Sequence, residues 1–313
     1  MRLLFMGTPA FAVPSLRELI DSPHEVIGVV TQPDRPKGRG LRPAPPPVKT
    51  VAGEYGLPVI QPDQLDAPEF LRTLRECQAE VFVVVAFSIL PAPVLSIPPR
   101  GTINLHASLL PKYRGAAPIP WAIINGETET GVTTFFIEQR VDTGQILLQR
   151  STPIGPDETA GELHDRLATM GATLVRETVD RIAAGQARPV SQTGSPSRAP
   201  RLTKADGRID WTQPAGVIHN RIRGMNPYPV AFTTWQDRTL RLLRSRRRPE
   251  RPDGGGRAGE VVALDAEGVL VIQTGAGCLG LVELQPEGRR RMRADEFVHG
   301  YRLRPGDILG NDE

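Results

Sequence analysis

Cysteine is nearly missing from this sequence: among 313 residues there are two, Cys77 and Cys278, far apart in the chain. Neither a disulfide framework nor a cysteine-built zinc site is supported by so few thiols. The five histidines are scattered, without the spacing of a metal site. No segment approaches the roughly 20 consecutive apolar residues that a membrane-spanning helix requires. Met1 to Met6 is too short for a signal peptide and runs straight into a strand-like segment, so a cytoplasmic protein is expected. Two chemical signatures are also missing. There is no Ser or Cys nucleophile motif, and the first strand is followed by Gly7 alone where a Gly-x-Gly-x-x-Gly dinucleotide site needs three glycines.

What is present is the composition of an ordinary globular chain, 39% hydrophobic and 23% charged, long enough for two domains. The formal charge of +3 is unevenly distributed. From Arg198 to Glu313 there are 20 basic and 15 acidic residues, a net of +5, and the remainder has 18 and 20, a net of −2. A basic partner surface is therefore expected in the C-terminal part.

Leu3 to Met6 reads as a buried strand, Phe11 to Ile20 as a helix, and Val26 to Val30 as a second strand. Strand, helix, strand at this spacing argues for a parallel sheet with right-handed crossovers. Val81 to Ala86 is the most apolar run, continuous rather than alternating, as in a central parallel strand covered on both faces. Phe87 and Ile89 follow at its C-terminal end, where open α/β sheets bind ligands. Between the second strand and the next helix, residues 32–47 are dense in Pro and Gly, which forbids regular structure, and the segment exceeds ordinary connection lengths. Its Arg35, Lys37, Arg39 and Arg42 have the reach and charge to contact phosphates or base edges.

The rest of the chain is organised around Asn104 to Gly144. Asn104 and His106 are two residues apart at the end of an apolar run, so in a strand they project from one face. Asp142 stands in a turn just before Gly144, after a strand-like run from Gly131 to Ile137. Between them, Ser108 to Pro111 and Arg114 to Pro118 form turns with little hydrophobic periodicity, better suited to ligand contact than to core. A carboxamide, an imidazole and a carboxylate without a nucleophile motif suit direct acyl transfer to an external amine. Asn104 and protonated His106 would stabilise the oxyanion of a tetrahedral intermediate, about 3 kcal/mol per donor, and Asp142 would favour charged His106 and help remove the amine proton.

Asn-x-His-x-Ser-Leu-Leu-Pro-x-x-x-Gly followed by Asp-x-Gly resembles the folate-dependent formyltransferases. Arg114-Gly115-Ala116-Ala117-Pro118-Ile119, Ile209-Asp210-Trp211 and Asn226-Pro227-Tyr228-Pro229 extend the likeness over nearly the whole chain, toward those members that act on methionyl-tRNA. The resemblance implies 10-formyltetrahydrofolate as formyl donor, no metal, and initiator methionyl-tRNA as acceptor. It implies a folate site lined by Ser108, Leu109, Leu110, Pro111, Phe87 and Ile89. It also implies that the Arg35 to Arg42 loop engages the acceptor end of the tRNA.

The expected architecture is α/β: a Rossmann-like, mostly parallel sheet with helices on both faces over residues 1–190, a polar Ser/Pro-rich linker over 191–206, and a C-terminal domain over 207–313. Short alternating runs from Ala231 to Leu284 suggest a small antiparallel barrel, and the resemblance implies one of OB type. Arg246, Arg247 and Arg248, in a cluster bordering those strands, are further candidates for tRNA phosphates. Nothing demands more than a monomer. The competing readings are a formyltransferase acting on a UDP-linked amino sugar, a catalytically inactive RNA-binding protein, and a hydrolase of formylfolate.

Overall fold

The computed structural model describes residues 1–37, 42–248 and 256–310. The chain forms two compact units, one of residues 1–118, 130–152 and 164–199, the other of residues 119–129, 153–163 and 200–313. Two short segments from the first half of the chain therefore pack with the C-terminal sequence.

The first half contributes strands β1 (Arg2–Gly7), β2 (Glu25–Val30), β3 (Arg35–Lys37), β4 (Arg42–Ala44), β5 (Val59–Ile60), β6 (Val81–Val85), β7 (Thr102–His106), β8 (Glu129–Phe136) and β9 (Ile146–Pro153). Helices α1 (Val13–Ile20), α2 (Pro47–Glu54), α3 (Pro68–Glu76), α4 (Ala92–Leu95), α5 (Pro118–Ile124) and α6 (Ala160–Ala183) connect or follow them. The seven-stranded sheet runs β5-β2-β1-β6-β7-β8-β9. It is parallel from β5 to β7, and β8 runs antiparallel to β7. As its continuous hydrophobicity predicts, β6 is the middle strand and all five of its residues are buried.

Helices cover both faces. Leu4, Met6, Val30, Phe82 and Val84 form one core with Phe70 and Leu74 of α3 and Val94 of α4. Each such buried side chain contributes roughly 1.5–3 kcal/mol. On the opposite face α6 lies against β7 and β8. A Cβ at Gly171 would sit 2.5 Å from Leu105 Cδ2, and the hydroxyls of Thr134 and Thr178 are 2.7 Å apart. With Leu105 turned toward α6, the alternation of a strand turns Asn104 and His106 to the other face.

One expectation is corrected in the basic loop. Residues 35–37 and 42–44 form a short antiparallel hairpin despite their prolines. Pro36 stands opposite Pro43, which is allowed because alternate antiparallel pairs exchange no N–H bonds. Arg39 lies outside the described residues.

The C-terminal sequence adds β10 (Ala231–Trp235), β11 (Arg238–Arg248), β12 (Val261–Leu264), β13 (Leu270–Gln273), β14 (Cys278–Pro286) and β15 (Met292–Arg293), with helices α7 (Ala215–Gly224) and α8 (Ala294–Tyr301). The sheet is antiparallel, ordered β10-β11-β14-β13-β12, with β15 beside β14. Ile218 and Ile222 of α7 and Phe297 of α8 join Leu242, Leu281 and Leu284 in one buried core. The arginine run does not border a strand but belongs to one: Arg246, Arg247 and Arg248 pair with Gly280, Leu279 and Cys278. Backbone pairing overrides the charge cluster there. Among the described residues, no helix is long and apolar enough to cross a membrane.

Candidate active site

The site lies at the C-terminal end of β7. Asn104 pairs with Val84 of β6 and Phe135 of β8, and His106 pairs with Thr133. Asn104 is half-buried, and its carboxamide makes no hydrogen bond to another described residue. His106 is 6% exposed. Its Nε2 donates to the carbonyl oxygen of Tyr113 at 2.8 Å, which leaves Nδ1 facing Asp142 Oδ2 at 3.7 Å. A carbonyl only accepts, so the neutral ring carries its proton on Nε2 and a lone pair on Nδ1.

Both residues that face this imidazole hold left-handed backbone, Tyr113 with φ 60° and Asp142 with φ 53°. Such conformations cost of order 1–3 kcal/mol in non-glycine residues and persist where the surroundings over-determine them. Here the surroundings are hydrogen bonds. Gly115 N–H donates to Asp142 Oδ2 at 2.8 Å. Thr143 Oγ1 bonds Arg140 O, and Gln192 Nε2 donates to both Asp142 O and Gly144 O at 2.9 Å. Gly144 is required by close packing, because a Cβ there would meet Phe136 O at 1.7 Å.

The structure brings His106 and Asp142 together, and Asn104 stands two residues before His106 on the same strand. Gln192 and Tyr113 were not anticipated. Gln192 falls in the polar stretch read as a linker, where composition offers no signal for a single glutamine. That stretch is bonded along the site from Gln192 to Ala199: Arg114 N–H donates to Ser197 O, Tyr113 N–H to Ser197 Oγ, and Ala117 N–H to Ala199 O.

The other predicted residues take different places. Ser108 is fully buried, with Oγ donating to Lys112 O at 2.6 Å, and Leu110 is 4% exposed. Thr133 and Gln149 pin the turn they form: Thr133 Oγ1 donates to Ser108 O, and Gln149 Nε2 to Leu110 O. Leu109 and Pro111 are half-buried. Phe87 is half-buried, whereas Ile89 is 75% exposed. Beyond them, a groove of about 550 Å³ is lined by Ala92, Leu95, Ser96, Ile137, Glu138, Gln139 and Arg140.

Arg35 is exposed, with Nη2 donating to Gln32 Oε1 at 3.2 Å, and the backbones of Lys37 and Arg42 pair across the hairpin. The three arginines of β11 do not form one patch. Arg248 Nη2 bonds Asp265 and Glu267, and Arg246 is 3.8 Å from Glu267. Arg247 lies within 4 Å of the space above Gly216 on α7. A strand's period of two separates Arg247 from its neighbours. Among the described residues, no group of three or more His, Cys, Asp or Glu side chains is arranged to hold a metal ion.

Residues 1–179 match the formyl transferase family model, and residues 201–302 match the formyl transferase C-terminal domain model. This chain belongs to the formyl transferase family. It is 48% identical over 315 residues to the methionyl-tRNA formyltransferase of Citrifermentans bemidjiense, covering 100% of this chain and 98% of the relative. It is 49% identical over 312 residues to that of Moorella thermoacetica, covering 99% of each. Among solved structures, a sugar 3N-formyl transferase, WlaRD, in the presence of dTDP and 5-N-formyl-THF, shares the fold. Its TM-score is 0.67 at 20% identity, over 93% of this chain and 99% of that one. HypX from Aquifex aeolicus in complex with tetrahydrofolic acid gives 0.66 at 17% identity, over 100% of this chain and 51% of that one.

Proposed function

We propose that this formyl transferase moves the formyl group of 10-formyltetrahydrofolate to the α-amino group of methionine on initiator tRNA. The observation that carries the reading is the approach of His106 and Asp142, with Asn104 two residues from His106 on one strand face, in a chain that aligns end to end with methionyl-tRNA formyltransferases. The donor supplies the formyl carbon when bound. We place its bicyclic ring in the open groove beside Leu95 and Ile137, whose walls mix apolar and polar groups. Ser108 and Leu110 act by holding the turn rather than by contact.

Asn104 offers a free carboxamide N–H to the oxygen of the reacting formyl group. His106 has committed Nε2, so Nδ1 is where a proton is gained or lost. The 3.7 Å between Nδ1 and Asp142 Oδ2 exceeds a hydrogen bond, and a third group between them completes the path. The acceptor amine fits that role: it attacks the formyl carbon, its proton passes to Nδ1 with Asp142 stabilising the imidazolium, and the leaving folate nitrogen takes up that proton as its bond to the formyl carbon breaks, giving tetrahydrofolate. Arg35 of the hairpin and Arg246 and Arg247 of β11 are the cations offered to tRNA phosphates, with Lys37, Arg39 and Arg42 adding charge by their place in the sequence. One copy of the chain suffices, working in the cytoplasm where aminoacyl-tRNA is made.

The test supplies the full chain with 10-formyltetrahydrofolate and, in parallel, charged initiator tRNA, charged elongator methionine tRNA and a UDP-linked amino sugar. Formyl incorporation into initiator tRNA is expected. Formylation of the sugar instead would overturn the acceptor while leaving the three catalytic residues in place, and transfer to none of them would overturn the reading.

A further inference from the structure

We propose that Gln192 is a positioning residue of the transfer site, acting through Asp142. The inference rests on the formyl-transfer reading. A glutamine amide has two N–H donors and an oxygen with two lone pairs, and all four are used here. Nε2 donates to Asp142 O and to Gly144 O, both at 2.9 Å. Oε1 accepts from Arg114 Nε at 3.2 Å and Arg114 Nη2 at 2.6 Å. The reverse orientation would set the amide oxygen against two carbonyls and the NH₂ against a guanidinium, so the assignment is dictated by its partners.

The geometry makes this side chain a clasp between the two loops of the site. One end fixes the carbonyls on either side of the Asp142 turn, whose φ of 53° needs outside support. The other fixes Arg114, next in sequence to Gly115, whose N–H holds the Asp142 carboxylate. Without the clasp the turn relaxes toward ordinary backbone, and Oδ2 leaves its station 3.7 Å from His106 Nδ1. Gln192 touches none of the three catalytic side chains. Its effect is geometric, on a separation where an error of one ångström costs about a hundredfold in rate.

The variants Gln192→Met and Gln192→Glu separate this role from alternatives. Methionine keeps the length and removes every polar bond. Glutamate keeps an acceptor for Arg114 and has no N–H for the two carbonyls. With 10-formyltetrahydrofolate and charged initiator tRNA, both variants are expected to lower kcat about tenfold or more, leaving both KM values within about twofold. In an Asp142→Asn background, Gln192→Met is expected to change kcat less than about twofold, because residues acting as a unit are non-additive. Full kcat in Gln192→Glu, or additive losses in the double variant, would overturn the proposal.

A readout independent of activity keeps it distinct from the transfer reading. Amide exchange at Gly115, whose N–H is bonded to Asp142, is expected to quicken in Gln192→Met while Val83 in the central strand keeps its protection. Unchanged exchange at Gly115 would overturn the role of Gln192 even if the wild type transfers formyl groups. Failure of the wild type with every acceptor would sink the transfer reading alone.

Discussion

The Nε2 of His106 donates to the carbonyl oxygen of Tyr113 at 2.8 Å, and this bond decides which ring nitrogen works. Only Nδ1 remains, on the side of Asp142. The carboxylate's charge is then its contribution, since its carbonyl and one oxygen are already held by Gln192 and Gly115. Asp142→Asn keeps an oxygen for Gly115 and removes the charge. We expect kcat to fall about 10²- to 10³-fold with donor KM little changed and an unaltered circular dichroism spectrum. Steady-state rates across both substrates check this, and full activity would remove Asp142 from the mechanism.

Gly115 has φ 119°, and a Cβ there would stand 2.8 Å from the backbone oxygen of Ala199. Gly115→Ala is therefore expected to destabilise the protein by about 1–3 kcal/mol and to lower kcat as its N–H shifts from Asp142. Urea unfolding measures the first effect and formyl transfer the second. A variant as stable and as active as wild type would show that this contact yields freely.

Glu162 sits in the first turn of α6, where its Oε2 accepts from Thr159 N–H and Oγ1–H while Thr159 Oγ1 accepts from Glu162 N–H, a reciprocal cap. Its other oxygen accepts from Arg244 at 2.5 Å. The Arg244 bond above all, with the Thr159 bonds, lowers its pKa from 4.5 to about 2. A folded pKa below the unfolded one means stability that is present above pH 4.5 and is lost as pH falls toward 2. Thermal melts of wild type and Glu162→Gln should differ at pH 7 and converge near pH 2. A gap constant with pH would show that the charge contributes nothing.

His219 is 2% exposed, with Nε2 donating to Pro156 O and Nδ1 accepting from Ser245 O–H, both at 2.9 Å. Burial lowers its pKa below 6.5, and the nearby Arg223 and Arg247 add to that against the opposing pull of the Pro156 hydrogen bond and of Asp157. The neutral ring is the one that fits. A depressed pKa contributes stability above pH 6.5 that is lost as pH falls below it. Denaturant titrations at pH 8 and pH 5.5 should show a loss in wild type that shrinks in His219→Gln. An equal loss in both would assign the pH dependence to other groups.

Much of this was legible in the chain. Unbroken hydrophobicity marked Val81 to Val85 as central, and the two-residue spacing of Asn104 and His106 marked a shared face. Period and spacing are local properties, so one sequence suffices to show them. The role of Gln192 was hidden because its partners are 78, 50 and 48 residues away and no pattern binds them. The hairpin at Arg35 and the strand through Arg248 were misread for a related reason. Proline and glycine argued against regular structure in the first and a run of like charge suggested a strand's border in the second, and pairing with a neighbouring backbone overruled both.

The interleaving of the two units has a consequence for how the chain emerges during synthesis. Residues 119–129 and 153–163 belong with sequence that begins only at residue 200. Pro156 and Gly155 are translated well before His219 and Arg223, the side chains that donate to their carbonyls. Those two carbonyls therefore leave the ribosome before the side chains that bond them. A chain cut at the change in composition near residue 190 would separate these carbonyls from their donors.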